Sequence, residues 1–221
     1  IPFAFLLWLF PAGSFLEVGL LSQGRILFTP LMIRRAVETH NEGKDYQKEY
    51  RWGDFEQLSP HLIRAVIASE DNLFLSHHGF SERAIRQAIK EKRENGKVRH
   101  GGSTISQQTA KNIFTFGKRS MFRKVRETWF TVLIETFWTK RRIMEVYLNV
   151  IEMGNGIYGA EAAAQSYFRQ SAKQLSSSQS ALIAACLPNP RVYSVTRPGP
   201  YIQRRRAQIL SLMPKMGKID L

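Results

Sequence analysis

The chain has 221 residues, 43% of them hydrophobic, which is enough to bury one substantial core. Its 32 Lys and Arg residues outnumber 18 Asp and Glu residues. The resulting net charge of +14 predicts a polyanionic partner: nucleic acid, an anionic membrane surface or a phosphorylated substrate. The single cysteine, Cys186, excludes an internal disulfide, and no CxxC motif or Cys/His cluster indicates a zinc site. We expect Cys186 to be a small buried core residue.

The N-terminal run IPFAFLLWLFPAGSFL carries no charge, and its large apolar side chains would point in every direction around a helix. Such a helix is typical of a lipid environment, although a signal-peptide core or a buried soluble helix is an alternative. We predict that residues 1–22 are the end of a single membrane anchor that begins upstream. Residues 23–60 would form a juxtamembrane and connecting segment, and residues 61–221 the main domain.

Helical periodicity dominates the rest of the chain, whereas strand-like alternation is scarce. The sequence therefore predicts a mainly α single domain, with a mobile loop at ENGKVRHGG. Helices are predicted over residues 61–70, 81–93, 104–113, 121–139, 140–150, 158–168, 176–187 and 200–213.

Glu70 closes the first of these predicted helices. Leu62, Val66 and Glu70 are spaced by four residues, so the carboxylate should lie on or beside the buried face. Burial there would raise its pKa and make it a better proton acceptor near neutrality. A carboxylate held at a helix end by an arginine is the structural alternative.

The stretch HGGSTISQQTAKNIF concentrates polar side chains at a helix start. Ser103 or Thr104 can cap the helix, and the free backbone N–H groups there suit a phosphate or sugar hydroxyls. Lys111 should follow about two turns later on the same side. An ordinary capped helix would explain the hydroxyl residues but not so many consecutive polar groups.

Two later segments add charge and a possible cleft wall. In FRKVRETWFTVLIETFW, Lys124, Glu127 and Thr131 should stack on one side of a helix whose other residues supply an apolar face. The eight Lys and Arg residues between 118 and 142 suit an anion such as pyrophosphate, or simply a solvated face. Tyr147, Asn149 and Glu152 could line a cleft, although packing is the alternative.

Five segments, taken in this order, carry a family resemblance. The segments are EDNLFLSHHGFS, GGSTISQQTAKN, RKVRE, RRIMEVYLN through GIYGAEAAAQSYF, and LSSSQSALIAACLPNPRVYS. They resemble the peptidoglycan glycosyltransferases that polymerise lipid II. The resemblance spans roughly residues 52–210, with Ser106 where many members carry Thr. It implies a lysozyme-like, two-lobed domain behind an N-terminal transmembrane helix. No SxxK or KTG motif occurs in the sequence, which predicts a monofunctional enzyme without transpeptidase chemistry.

The resemblance also implies roles for individual residues. Glu70 would be the general base that takes the proton from the acceptor 4-hydroxyl, and Glu127 a second essential carboxylate near the departing pyrophosphate. No cofactor is implied to be obligatory, although a divalent cation, Mg or Mn, could lie near Glu127. The implied substrate-binding residues are Asp71, Phe74, His77, Ser103, Thr104, Gln108, Lys111, Asn112, Arg123 and Lys124.

The partners implied are lipid II, the growing lipid-linked glycan strand and membrane lipid, and not nucleic acid. The implied location is the bacterial cytoplasmic membrane, crossed once, with the catalytic domain on the extracytoplasmic side. Two other functions are weighed against this one. A lysozyme-like lytic enzyme would need an acid but few cations for a diphosphate, and a non-enzymatic basic module would leave Glu70 and Asp71 unexplained.

Overall fold

A computed structural model describes residues 12–96, 102–117 and 120–221, and within them the fold is mainly helical. The eight predicted helices are confirmed, with ends that move by no more than two residues. Most of the predicted loop ENGKVRHGG lies outside the described residues. The helices are α1 (12–20), α2 (Pro30–Asn41), α3 (Pro60–Glu70), α4 (Glu82–Asn95), α5 (Ile105–Phe114), α6 (Met121–Phe137), α7 (Lys140–Val150), α8 (Ala160–Phe168), α9 (Ser177–Cys186) and α10 (Pro200–Leu212).

Hydroxyl caps explain why several helices begin where they do. The Ser59 side chain accepts a hydrogen bond from the His61 N–H at the start of α3, and Pro60 supplies the preset first residue. Ser120 and Thr139 cap α6 and α7 in the same way. Each cap satisfies a backbone donor that the first helical turn leaves free.

Helix packing forms two groups around the core. Helices α3, α9 and α10 pack on one another, while α5 packs between α6 and α7. The core includes fully buried Leu62, Phe74 and Tyr147, and the buried Cys186 is a core residue as expected. The end of α3 thus faces residues carried by the α5 group.

A small sheet completes the described fold. Its strands are β1 (Glu49–Tyr50), β2 (Glu152–Gly154) and β3 (Ile157–Tyr158), in the order β1-β3-β2. Strand β1 is parallel to β3, and β2 is antiparallel to it with an irregularity between Glu152 and Gly154. Gly156 joins β2 to β3 with φ of +75°, and a Cβ there would lie 2.3 Å from the Gln47 carbonyl oxygen.

The N-terminal half of the predicted anchor, residues 1–11, lies outside the described residues. Helix α1 packs on the end of α6, where the Trp129 and Trp138 indole N–H groups donate to Ser14 Oγ and the Val18 carbonyl, both at 2.9 Å. Among the described helices, none combines the length and apolar character needed to cross a bilayer.

The connecting segment contains a helix that the sequence prediction lacked. Thr29 accepts a hydrogen bond from the Met32 N–H and Pro30 occupies the first turn, so α2 begins with a capped Thr-Pro pair. Met32 is buried, and α2 packs on α5. Part of the predicted juxtamembrane and connecting segment is therefore helical and packs on α5.

Candidate active site

A cleft of about 300 Å³ lies where α2, α3 and α5 meet the loop after α5, strand β2 and the turn at 187–190. Six charged side chains line it, four of them cationic. These are Glu70, Glu152, Arg34, Arg35, Lys111 and Arg123. A carboxylate in such surroundings faces a site with a net positive charge.

Glu70 is the last residue of α3 and reaches the cleft from the end of that helix's buried apolar face. Its Oε2 accepts a hydrogen bond from Gln108 Nε2 at 3.0 Å. Burial raises the pKa of Glu70, while the hydrogen bond from Gln108 and the charges of Arg205 and Lys111 lower it in part. The expected raised pKa is thus confirmed in direction.

A hydrogen bond from a buried tyrosine fixes the orientation of the Gln108 amide. The hydroxyl of fully buried Tyr147 donates to Gln108 Oε1 at 3.4 Å, which leaves the amide nitrogen turned toward Glu70. Tyr147 and Asn149, which the sequence suggested as cleft residues, are buried. Asn149 instead exchanges hydrogen bonds with the backbone of Gly53 at 2.8 and 2.9 Å.

Asp71, next to Glu70, points away from the cleft lining and joins two elements. Its carboxylate contacts His77 Nε2 at 2.9 Å and accepts a hydrogen bond from the Ile105 N–H, the first residue of α5, at 3.0 Å. His77 Nδ1 accepts from the Gly79 N–H, so Nε2 carries the proton that is donated to Asp71. Asp71 and His77 therefore fix the start of α5.

Phe74 is fully buried beneath the same turn rather than in the cleft lining. Lys140 Nζ lies 4.6 Å from the centre of the Phe74 ring and donates to the His77 carbonyl and Glu135 Oε1 at 2.7 and 2.8 Å. The geometry gives Phe74 and His77 indirect contributions to the site, through the packing of the turn that follows α3.

The α5 segment divides its polar residues between structure and cleft. Thr104 caps the helix in a reciprocal capping box with Gln107 and donates to the Gly79 carbonyl at 2.7 Å. Ser103 is partly exposed and lies outside the cleft lining. Gln108, Lys111 and Asn112, further along the helix, line the cleft.

Lys111 lies among several charges, some in the cleft lining and some behind it. Burial lowers the pKa of its ammonium group most, Glu127 raises it, and Arg123, Arg34 and Lys124 lower it further. The three other cations are therefore close enough to Lys111 to repel it electrostatically. The arrangement suits an anion with more than one charge.

Glu127 lies behind the cleft wall, with only 4% of its side chain exposed. Lys124 Nζ forms a close ion pair with Glu127 Oε1, and Arg123 Nη1 lies 3.7 Å from Oε2. Arg123 lines the cleft, but Glu127 and Lys124 do not. The described residues contain no group of three or more His, Cys, Asp or Glu side chains suited to a metal ion.

Sequence reasoning missed two cleft arginines, although it suggested Glu152, the partner of one of them, as a cleft residue. Arg34 and Arg35, interpreted as juxtamembrane residues, are brought into the cleft by α2. Arg35 pairs with Glu152 at 2.9 Å and with Glu38 at 2.7 Å, and burial raises the pKa of Glu152 despite that pairing. The Thr29–Pro30 pair was a helix-start signal that could have indicated α2.

Comparison with known proteins shows which protein family the sequence matches. Residues 36–214 match the sequence model of the Transglycosylase family. A biosynthetic peptidoglycan transglycosylase of Bacteroides thetaiotaomicron is 50% identical over 218 residues, covering 97% of this chain and 88% of that protein. Proteins of the same name from Caulobacter vibrioides and Pseudomonas aeruginosa are 54% and 45% identical, covering 82% and 99% of this chain and 76% and 93% of their own lengths.

Proposed function

The chain belongs to the transglycosylase family, and we propose that it is a peptidoglycan glycosyltransferase that polymerises glycan chains from lipid II. The reaction joins sugars through β-1,4 bonds with inversion and releases polyprenyl diphosphate. One observation carries the proposal: the buried carboxylate of Glu70 opens into a cleft whose charged lining is otherwise mainly cationic. The reaction needs both a base for one proton and cations for a departing diphosphate.

Glu70 acts as the general base in this proposal. The acceptor 4-hydroxyl loses its proton to the carboxylate as its oxygen attacks the anomeric carbon of the donor sugar, and the bond to the diphosphate breaks. A raised pKa makes the ionised carboxylate of Glu70 a stronger base than that of an exposed glutamate. The hydrogen bonds from Tyr147 to Gln108 and from Gln108 to Glu70 hold the carboxylate in one orientation.

Charge builds on the diphosphate as the donor bond breaks. Lys111 and Arg123 line the cleft and can stabilise that charge more strongly in the transition state than in the bound substrate. A neutralised diphosphate is a good leaving group, so the reaction needs no acid to protonate it. Glycoside hydrolysis does need such an acid, and the cationic lining therefore favours synthesis over the lytic alternative.

Glu127 contributes through its ion pairs in this proposal. Its contacts with Arg123 and Lys124 hold the two cations at the start of α6, beside the cleft. Glu127 already faces these two cations, and among the described residues it belongs to no cluster of three or more His, Cys, Asp or Glu side chains. No step here is therefore assigned to a bound metal.

The membrane is proposed as the second partner. The apolar face expected on α6 is largely exposed: Phe122 and Val125 are 73% and 63% accessible. On neighbouring α1, Leu16 and Leu20 are similarly exposed. The Phe15 ring packs edge-on against that of Phe137, with 5.7 Å between the ring centres. Such a contiguous apolar surface supports contact with lipid.

This membrane contact fits a substrate with a polyprenyl chain. The proposed location is the bacterial cytoplasmic membrane, where an anchor ending near residue 22 would hold the catalytic domain on the extracytoplasmic side. The proposed partners are accordingly lipid II, the growing lipid-linked strand and membrane lipid.

The test incubates purified protein with labelled lipid II and, separately, with finished glycan. We expect lipid II to be converted to polymer with release of polyprenyl diphosphate, while finished glycan stays intact. Glu70→Gln should abolish polymerisation. Cleavage of finished glycan without consumption of lipid II would instead establish the lytic function.

A further inference from the structure

We propose that Arg34 is a further ligand for the diphosphate of the lipid-linked substrate, presented by α2 into the cleft that Lys111 and Arg123 also line. This inference rests on the proposed function. Residue 34 lies just before the first residue matched by the family model, so the contribution is separate from the motifs that carry the family resemblance.

The placement of Arg34 follows from how α2 is fixed. The Thr29 cap and Pro30 set where the helix begins, and Met32, 2% exposed, anchors it against the rest of the domain. Helix α2 packs on α5, which carries Lys111. Arg34 consequently lines the same cleft as Lys111.

The guanidinium of Arg34 has unused hydrogen-bonding capacity. Its Nη1 donates a long hydrogen bond to the Gly117 carbonyl at 3.4 Å, and its Nε forms an ion pair with Glu38 Oε1 at 3.6 Å, too far for a hydrogen bond. That Nε is buried without a hydrogen-bond partner. A buried N–H without a partner is costly, and a shift of the side chain toward a ligand oxygen in the cleft would remove the cost.

Adjacent Arg35 shows the contrasting situation. It is held by two carboxylates at hydrogen-bond distance, Glu38 at 2.7 Å and Glu152 at 2.9 Å. Its charge is thus already balanced within the protein. Of these two neighbouring arginines, Arg34 is the one whose donors can turn to a ligand.

The electrostatics point to the same kind of ligand. Arg34 and Arg123 both lower the pKa of Lys111, which places three cations within mutual influence around one space. A diphosphate offers several acceptor oxygens and enough negative charge to meet all three. The planar guanidinium fork suits phosphate oxygens, because two parallel N–H groups can engage them together.

The test measures binding of polyprenyl diphosphate, and of the matching polyprenyl alcohol, to the full chain in micelles of neutral detergent. Arg34→Gln should weaken diphosphate binding by about tenfold, the effect of losing one charge-assisted contact, and leave alcohol binding unchanged. Arg34→Lys, which keeps the charge but loses the fork, should give an intermediate loss.

Arg25→Gln is the matched control. Arg25 also precedes the matched region and carries a guanidinium, but it is 61% exposed and paired with Asp54 at 2.8 Å, outside the cleft lining. The control should bind the diphosphate like the parent protein. An equal loss for Arg25→Gln and Arg34→Gln would reveal a general charge effect and overturn the proposal.

Three other results would also decide against Arg34. If Arg34→Gln binds the diphosphate like the parent protein while Lys111→Ala binds it more weakly, the role of Arg34 is overturned and the proposed function stays intact. Equal losses for diphosphate and alcohol would show that the substitution disturbs the fold rather than a phosphate contact. A parent protein that neither binds the diphosphate nor polymerises lipid II would remove both proposals.

Discussion

Glu70 and Asp71 are adjacent carboxylates for which the structure predicts opposite consequences of the same chemical change. Replacing Asp71 by Asn removes one of two acceptor oxygens. Oδ2 accepts from the Ile105 N–H at 3.0 Å and from the His77 Nε2–H at 2.9 Å, Oδ1 lies 3.0 Å from the same Nε2, and Asp71 is only 7% exposed. With the amide oxygen in the Oδ2 position, both donors keep a neutral acceptor, but the NH₂ group in the Oδ1 position faces the His77 Nε2–H as donor against donor.

The cost can be estimated from the loss of the charged acceptor at two donors. A hydrogen bond to a charged group contributes about 1.5–3 kcal/mol and a neutral one about 0.5–1.5 kcal/mol, so Asp71→Asn should lower the free energy of unfolding by about 2 kcal/mol. A change of tautomer at His77 would not rescue it. The Nδ1 atom already accepts from the Gly79 N–H and would then present a proton to that donor.

Glu70→Gln should leave stability unharmed while removing activity. Because burial raises the pKa of Glu70 in the folded state, the ionised side chain costs stability as pH rises through that pKa. The neutral amide avoids this cost, so its unfolding free energy at pH 7 should equal or exceed that of the parent protein. The difference should disappear below the ordinary glutamate value of 4.5. Polymerisation should fall by at least about 100-fold without the base.

Urea denaturation followed by circular dichroism, at pH 7 and pH 4, measures the stability of the two variants and the parent. Lipid II polymerisation rates should be compared at a temperature where all three proteins are folded. An Asp71→Asn variant with parent-like stability would contradict the structural role of Asp71. A Glu70→Gln variant with parent-like turnover would contradict the assignment of the base.

Four further outcomes are expected. Glu127→Gln should cause a large loss of polymerisation by releasing its two cations, and parent-like initial rates would remove Glu127 from the site. Lys111→Ala should weaken binding of a diphosphate lipid by about tenfold or more, measured by titration, whereas unaltered affinity would count against its role. The pH profile of kcat/KM should have an acid limb at a pH above 4.5, because Glu70 must be ionised, and an alkaline limb at a pH below 10.5, because Lys111 must be protonated. Limbs at 4.5 and 10.5 would refute the effect of burial on the two pKa values. Thr104→Ala should lower the free energy of unfolding by about 1–2 kcal/mol in denaturant titrations through loss of the α5 cap, and an unchanged midpoint would contradict this.

Local signals explain why most helices could be predicted from the sequence. Apolar periodicity and hydroxyl caps, such as Ser59 before α3 and Thr104 before α5, act within a few residues of the chain. The raised pKa of Glu70 was predictable for the same reason, since its spacing from Leu62 and Val66 fixes the helix face.

The remaining features depend on contacts between distant segments. Arg34 reaches the cleft because α2 packs on α5, and nothing in its neighbouring residues encodes that contact. The same limit applies to Asp71, since its partner Ile105 is 34 positions away. Periodicity revealed the apolar residues of α6 but could not tell whether Phe122 faces the core or the surface.

The cleft walls come from segments far apart in the chain, from α2 at residues 30–41 to the turn at 187–190. During synthesis, which starts at the N-terminus, the chain therefore stays inactive until its final third has been synthesised and has packed against the rest of the domain. Contacts of such long sequence separation also slow folding, because a large loop must close before they form. Assembly of the active centre should consequently be a late event, and nascent fragments that end before residue 187 should be inert.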